Sequence, residues 1–159
     1  MTANAETTIV IEPADPRLPK ARKLVEELDA LLISLYPMES NHLVAIDRLA
    51  EPDTRFFIAE VGGKALGCGA IMLVGEAYAE VKRVYVAPAA RGLGLAKLLL
   101  ARLEEETLSH GLRLLRLETG RYQPEALGLF ASMGFRLCGP FGDYPSDDPN
   151  SIFMEKALG

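Results

Sequence analysis

The sequence has no tryptophan, only two cysteines and only two histidines in 159 residues. Cys68 and Cys138 belong to no C-x-x-C pair, and neither stands in a cluster with His42 or His110. That spacing excludes the usual structural zinc sites, so no metal is expected. Two isolated thiols read as small buried side chains rather than nucleophiles, and their scarcity suits a reducing, cytoplasmic compartment. No apolar run approaches the ~18 residues of a bilayer span. Residues 1–8 show neither a basic region nor an apolar core, so no leader is expected and this stretch reads as a flexible tail. Positive charge is also scarce: 17 Lys and Arg face 22 Asp and Glu, a net charge of −5. A nucleic-acid partner would require the opposite balance, whereas a cationic amine is compatible with it.

What remains is ordinary for a soluble globular chain: 49% apolar and 25% charged residues, enough for a single domain over residues 9–159. Its organising stretch is residues 84–100. Val84, Tyr85 and Val86 read as the end of a strand, which Pro88 stops by removing a donor. Leu95, Leu98, Leu99 and Leu103 then fall on one helical face. Between strand and helix, Gly92 and Gly94 can adopt backbone angles closed to other residues. The first N–H groups of the helix lack intrahelical acceptors and sit at the positive end of its dipole. With Arg91 they form a potential phosphate site; the plainer alternative is a tight strand-to-helix turn. A P-loop is excluded by spelling, and Lys97 stands where a dinucleotide fingerprint needs its last glycine or alanine.

Elsewhere the pattern predicts a first strand at 8–12, a helix from Arg17 to about Tyr36 ended by Pro37, and a short helix through Leu43, Ile46 and Leu49. Strands follow at 55–61, 66–74 and 78–86, an antiparallel meander with a hairpin turn at Gly62-Gly63. Gly67 and Gly69 mark a bulge or a close backbone approach in the second of these. After the long helix, Gly111 is a C-cap. A strand at 112–118, a helix opened by Pro124 and final strands at 135–138 and 151–156 complete an α+β domain. A loop at 139–150 separates the last two.

Arg91, Gly94 and Ala96 spell R-x-x-G-x-A, preceded by Val86-Ala87-Pro88. This resembles the acyl-CoA-binding motif of the GNAT superfamily of N-acetyltransferases. Gln123-x-x-Ala126-x-x-Leu129-Phe130, followed by Met133-Gly134-Phe135, resembles a second segment of that family. The resemblance implies a mixed, mostly antiparallel sheet flanked by helices, with acetyl-CoA as co-substrate. It implies that Arg91, Gly92, Leu93, Gly94, Leu95, Ala96 and Lys97 surround the pyrophosphate. Backbone N–H groups near Tyr85 and Val86 would hold the pantetheine arm and the developing oxyanion. Gln123 and Phe130 would line the same channel. Gln123 stands where asparagine is usual and keeps an amide. Phe130 replaces a tyrosine that often protonates the leaving thiolate, and it has no proton to give.

An aliphatic amine with a pKa of about 10.4 is neutral in only about one molecule in 2,500 at pH 7, so a base is needed. Glu80, on the strand before the motif, is the expected base by resemblance; its alternative role is a strand glutamate paired with Lys82. Tyr144 is a candidate for the missing proton donor. Acceptor contacts are expected from the segments 35–42 and 139–150, with Tyr36, Glu39, Asn41 and Tyr122 available. The expected activity is direct acetyl transfer to a primary amine of a small molecule. The alternatives are a non-catalytic acyl-CoA sensor and a protein-lysine acetyltransferase. A homodimer is compatible with the resemblance.

Overall fold

The computed structural model describes residues 8–41 and 44–159. Residues 1–7, His42 and Leu43 lie outside the described residues. Among the described residues, seven strands form one sheet in the order β1-β2-β3-β4-β5-β7-β6. They are β1 (Ile9–Pro13), β2 (Thr54–Val61), β3 (Lys64–Val74), β4 (Tyr78–Val86), β5 (Leu114–Gly120), β6 (Arg136–Leu137) and β7 (Ser151–Ala157). Every neighbouring pair is antiparallel except β4 and β5, which run parallel. Among the described residues, four α-helices complete the domain: α1 (Pro19–Leu35), α2 (Ile46–Leu49), α3 (Leu95–Ser109) and α4 (Pro124–Ser132). None of the described helices is long and apolar enough to cross a membrane.

Side-chain alternation along β2 divides the core. Phe56 and Ile58 pack with Ala21, Leu24 and Val25 of α1. Phe57 joins Leu100 and Leu103 of α3 and Phe130 of α4 on the opposite face. Successive strand residues point to opposite faces, so a run apolar at every position must be covered on both sides. The expected glycine effects in β3 are both present. A Cβ on Gly67 would lie 3.0 Å from Leu95 and 3.2 Å from Leu99, so its absence lets α3 settle against the strand. The β2–β3 register skips Leu66 beside Gly67, a bulge in β3 itself, and the β3–β4 register shifts between Cys68 and Ala70.

That shift is a bulge on β4. Lys82 pairs with Ala70 and Tyr85 with Cys68, so Arg83 and Val84 together oppose Gly69. Arg83 takes φ +55°, the only described non-glycine residue with positive φ. The extra residue switches the parity of the strand: Ala79 and Val81 face the α3 side, and beyond the bulge Val84 and Val86 do.

Candidate active site

The parallel pair β4 and β5 is joined only at Ala79–Leu115 and Glu80–Arg116. From Val81 onward the strands part, and the gap becomes a cavity of about 120 Å³. Its walls include Val81–Val84 of β4 and Leu117–Gly120 of β5, with Leu28 and Leu32 from α1 and Gln123, Ala126 and Phe130 from the α4 region. Parting two strands leaves backbone groups without ladder partners. The Ala87 N–H donates to Leu66 O at 2.8 Å. By the alternation of an antiparallel ladder, Tyr85 also donates toward β3 and Val86 turns its N–H to the gap. Of these two residues, Val86 therefore carries the donor available to a ligand.

The proposed phosphate loop lies in continuation of β4. A 3-10 turn at Pro88–Ala90 leads into Gly92 (φ +87°) and Gly94 (φ +73°), the N-cap of α3. A Cβ on either glycine would meet nothing within 4 Å. Their requirement is therefore the left-handed backbone, not space. The first bond closing the helix runs from Leu98 N–H to Gly94 O at 3.2 Å. Helix geometry leaves the N–H groups of Leu95, Ala96 and Lys97 with no intrahelical acceptor. Arg91, Gly92, Leu93 and Gly94 are exposed beside them, so a phosphate can be met by these donors and the helix dipole.

Glu80 and Tyr144 come together as a pair. The Tyr144 hydroxyl donates to Glu80 Oε2, and Lys82 Nζ donates to the Tyr144 oxygen. Lys82 Nζ also lies 2.9 Å from Glu80 Oε2, with the two side chains 11% and 12% exposed. Burial, and then the Glu80 carboxylate, push the Tyr144 phenol well above its usual pKa. Tyr144 is seated edge-on against Phe141 at 5.5 Å and Phe153 at 5.6 Å. Lys82 and Tyr144 are in the cavity wall and Glu80 is not. The expected base thus stands one layer behind the cavity, already engaged by a lysine and a phenol.

A second carboxylate, Glu118 on β5, does line the cavity; its Oε2 accepts from Ser151 Oγ at 2.8 Å. The sequence expectations missed it. It lies on the strand that borders the gap, five residues ahead of Gln123, and only the parallel pairing of β4 with β5 turns that position into a site.

Tyr36, expected on the acceptor side, and Gln123, expected on the cofactor side, meet directly. The Tyr36 hydroxyl donates to Gln123 Oε1 at 3.2 Å and accepts the Tyr122 N–H at 3.1 Å. Asn41 lines the cavity, while its Nδ2 donates to the Tyr36 and Pro37 carbonyls at 3.1 Å. Its amide therefore also braces the turn after α1. Glu39 is exposed and absent from the walls, so the structure does not bring it to the cavity. Tyr122 is also outside the walls, with its ring 5.6 Å from that of Tyr36 and 48% of its surface exposed. Phe130 is buried in the wall and packs edge-on against Phe135.

The two segments expected to contact an acceptor are tied to each other. Ser40 Oγ donates to Asp148 Oδ1 at 2.9 Å, and Asn150 Nδ2 donates to Ser40 Oγ at 3.1 Å. Below them the bulge residue Arg83 is buried. Its Nη2 donates to Val44 O at 2.6 Å. Its Nε lies 3.0 Å from Asp29 Oδ1 of α1, off the line of a hydrogen bond. Burial holds the Asp29 carboxyl above its usual range, with the guanidinium opposing that shift. Cys68 is fully buried and donates from Sγ to the Arg83 carbonyl at 3.2 Å. Burial pushes its thiol up to about 12, which makes it a packing group and not a nucleophile. Cys138 is only half-buried, contrary to the expectation of two buried thiols.

The parallel pair thus splits after two residue pairs, and a glycine-initiated helix start lies beyond the split. The model of the acetyltransferase (GNAT) family matches residues 21–135, and the chain belongs to that family. It is 50% identical over 137 residues to the IAA acetyltransferase of Azospirillum brasilense, covering 86% of this chain and 89% of that one. It is 36% identical to the N-acetyltransferase YsnE of Bacillus subtilis, covering 85% and 90%. A solved structure from Klebsiella pneumoniae superposes with a TM-score of 0.81 at 33% identity, covering 98% of this chain and all of that one. The PaiA N-acetyltransferase of Thermoplasma acidophilum, solved with coenzyme A, shares the fold at a TM-score of 0.73 and 17% identity, covering 96% and 100%.

Proposed function

We propose that this protein transfers the acetyl group of acetyl-CoA to a primary amine of a small molecule, by direct attack within a ternary complex. The observation that carries this reading is the parting of β4 from β5 into a cavity bordered by a carboxylate. Acetyl-CoA would lie with its pyrophosphate on the start of α3 and its pantetheine arm along the freed edge of β4. Its thioester would then reach the cavity near Phe130 and Gln123. The Val86 N–H, just beyond the Val81–Val84 wall of the cavity, is suited to an amide of the pantetheine arm.

Glu118 is the better placed base. It borders the cavity, whereas Glu80 is behind Lys82 and Tyr144. Deprotonating an amine of pKa about 10.4 at pH 7 costs roughly 4–5 kcal/mol, and a carboxylate that receives the proton offsets this. Tyr144 is poorly suited to protonate the departing thiolate, because its phenol already donates to Glu80 and is a weaker acid than usual. A CoA thiol with a pKa near ~8.5 can leave as the thiolate. The walls combine Leu28, Leu32, Val81, Leu117 and Ala126 with polar residues such as Asn41, Glu118 and Gln123, which favours an amine carrying both an apolar part and polar groups. The Ser40–Asp148–Asn150 contacts tie together two segments that border the cavity, which supports a metabolite over a protein acceptor.

Acetyl-CoA labelled in its acetyl group, incubated with the protein and a whole cell extract, is the test. Label in a small molecule is the expected outcome. Label in protein would favour a protein acetyltransferase, and tight binding without transfer would favour a sensor. With the acceptor in hand, Glu118→Gln is expected to lower kcat by roughly 10²-fold or more with acetyl-CoA affinity retained. If Glu80→Gln alone produces that loss, the base is Glu80.

A further inference from the structure

Lys82 is the one lysine among the described residues in the cavity wall, and its surroundings are those an acceptor amine requires. Glu80 and Lys82 are two apart on β4 and therefore share a face before the bulge. The ammonium is 2.9 Å from a carboxylate oxygen, with both side chains nearly nine-tenths buried. An ammonium beside a shielded carboxylate, opening onto a cavity for a thioester, has a base, a nucleophile and an approach path together. The catalytic scheme above uses neither group.

We propose that Lys82 is itself an acetyl acceptor, modified from the acetyl-CoA bound in the same molecule when no amine substrate fills the cavity. This rests on the reading of the cavity as an acetyl-CoA site. The Lys82 ammonium gives one proton to Glu80, and the freed lone pair attacks the thioester carbonyl carbon. The C–N bond forms and the C–S bond breaks, its electron pair leaving on sulfur. The sulfur takes the second proton lost by nitrogen, so the products are Nε-acetyl-Lys82, a protonated Glu80 and CoA thiol. The neutral amide can no longer form an ion pair with Glu80, and the added acetyl group occupies acceptor space. Self-acetylation thus shuts the site when donor is abundant and acceptor scarce.

Burial makes this distinguishable from chemical acetylation by the reagent in solution. Lys20 is 51% exposed at its side chain and Lys64 is exposed, so both should outpace an 11%-exposed, ion-paired lysine unless the site itself delivers the acetyl group. The experiment incubates the full chain with acetyl-CoA alone and maps acetylated peptides by mass over time. Expected is acetylation at Lys82 ahead of Lys20 and Lys64, at a first-order rate independent of protein concentration. The preference should vanish in denaturant and be suppressed by an excess of a competing amine. Glu80→Gln should slow Lys82 modification by roughly a hundredfold while acetyl-CoA binding by calorimetry persists. If that variant does not fold, the native-against-denatured comparison decides. Lys82 modified no faster than the exposed lysines overturns the proposal. An unmodified Lys82 in a protein that binds acetyl-CoA and acetylates a small amine overturns it and leaves the proposed function standing. Absence of acetyl-CoA binding overturns both.

Discussion

Gly120 has no room for a methyl group. A Cβ there would fall 1.8 Å from the Tyr36 hydroxyl and 2.1 Å from the carbon that bears it, so the ring must leave its position for any side chain at 120. Gly120→Ala is therefore expected to cost about 1–3 kcal/mol of stability, as overpacking does, measured by denaturant unfolding. It should also break the Tyr36–Gln123 bond; Tyr36→Leu in the same chain should recover part of the stability. Equal midpoints for wild type and Gly120→Ala would show that the ring is not held there. Tyr36 and Gln123 were each visible in the sequence as polar residues near a site, one assigned to the acceptor and one to the cofactor. Their contact was not visible, because 87 residues separate them and only the folded chain brings the C-cap residue of α1 to the end of β5. Glu39 shows the converse: a polar residue in the right segment that the 3-10 turn at Met38–Ser40 leaves in solvent.

At the scale of elements, the start of α3 and the bulge in β4 do most to shape the site. Gly94 sits at φ +73° in open space, so alanine there meets a backbone penalty and no clash. Gly94→Ala should cost about 1–2 kcal/mol, and a helix start driven out of place should weaken acetyl-CoA binding beyond the loss of stability. Gly94→Asn, which tolerates left-handed angles better, should lose less of both. Calorimetric titration beside thermal unfolding separates the two effects; identical affinities in all three proteins would remove this loop from the cofactor site. The loop was legible from its spelling because positive φ has a strong residue signature. The bulge has a fainter one: apolar residues at 79 and 81 give way to apolar residues at 84 and 86, a one-residue slip of the period-2 pattern. That slip could have located Arg83. Its buried contacts to Asp29 and the Val44 carbonyl depend on α1 and the α1–β2 connection, which no local pattern reports.

Across the whole molecule, stability toward acid should carry the mark of Asp53. Arg48 of α2 binds it in bidentate fashion at 2.6 and 2.7 Å, and Thr54 adds a hydroxyl at 3.0 Å. The hydrogen bonds from Arg48 hold the Asp53 carboxyl below its usual range. The folded state then binds this proton less tightly than the unfolded chain. Its stabilising contribution is complete above the unfolded value of about 3.9 and is lost as pH falls through the lower folded value. Asp53→Asn should lower the unfolding temperature at pH 7, and the difference from wild type should shrink toward zero near ~pH 2. A difference that stays constant with pH would assign the effect to something other than this ionisation. The sequence by itself determined the α+β class, nearly every element, the glycine loop that opens α3 and the family, because periodicity, glycine and proline are local and the motif spans consecutive residues. Only the tertiary structure decided that β4 and β5 part after two residue pairs, that Glu118 borders the resulting cavity, and that Lys82 and Tyr144 stand between that cavity and Glu80. Those facts arise from which strands become neighbours and where their ladder ends, and burial and distance between remote residues exist only once the chain has closed.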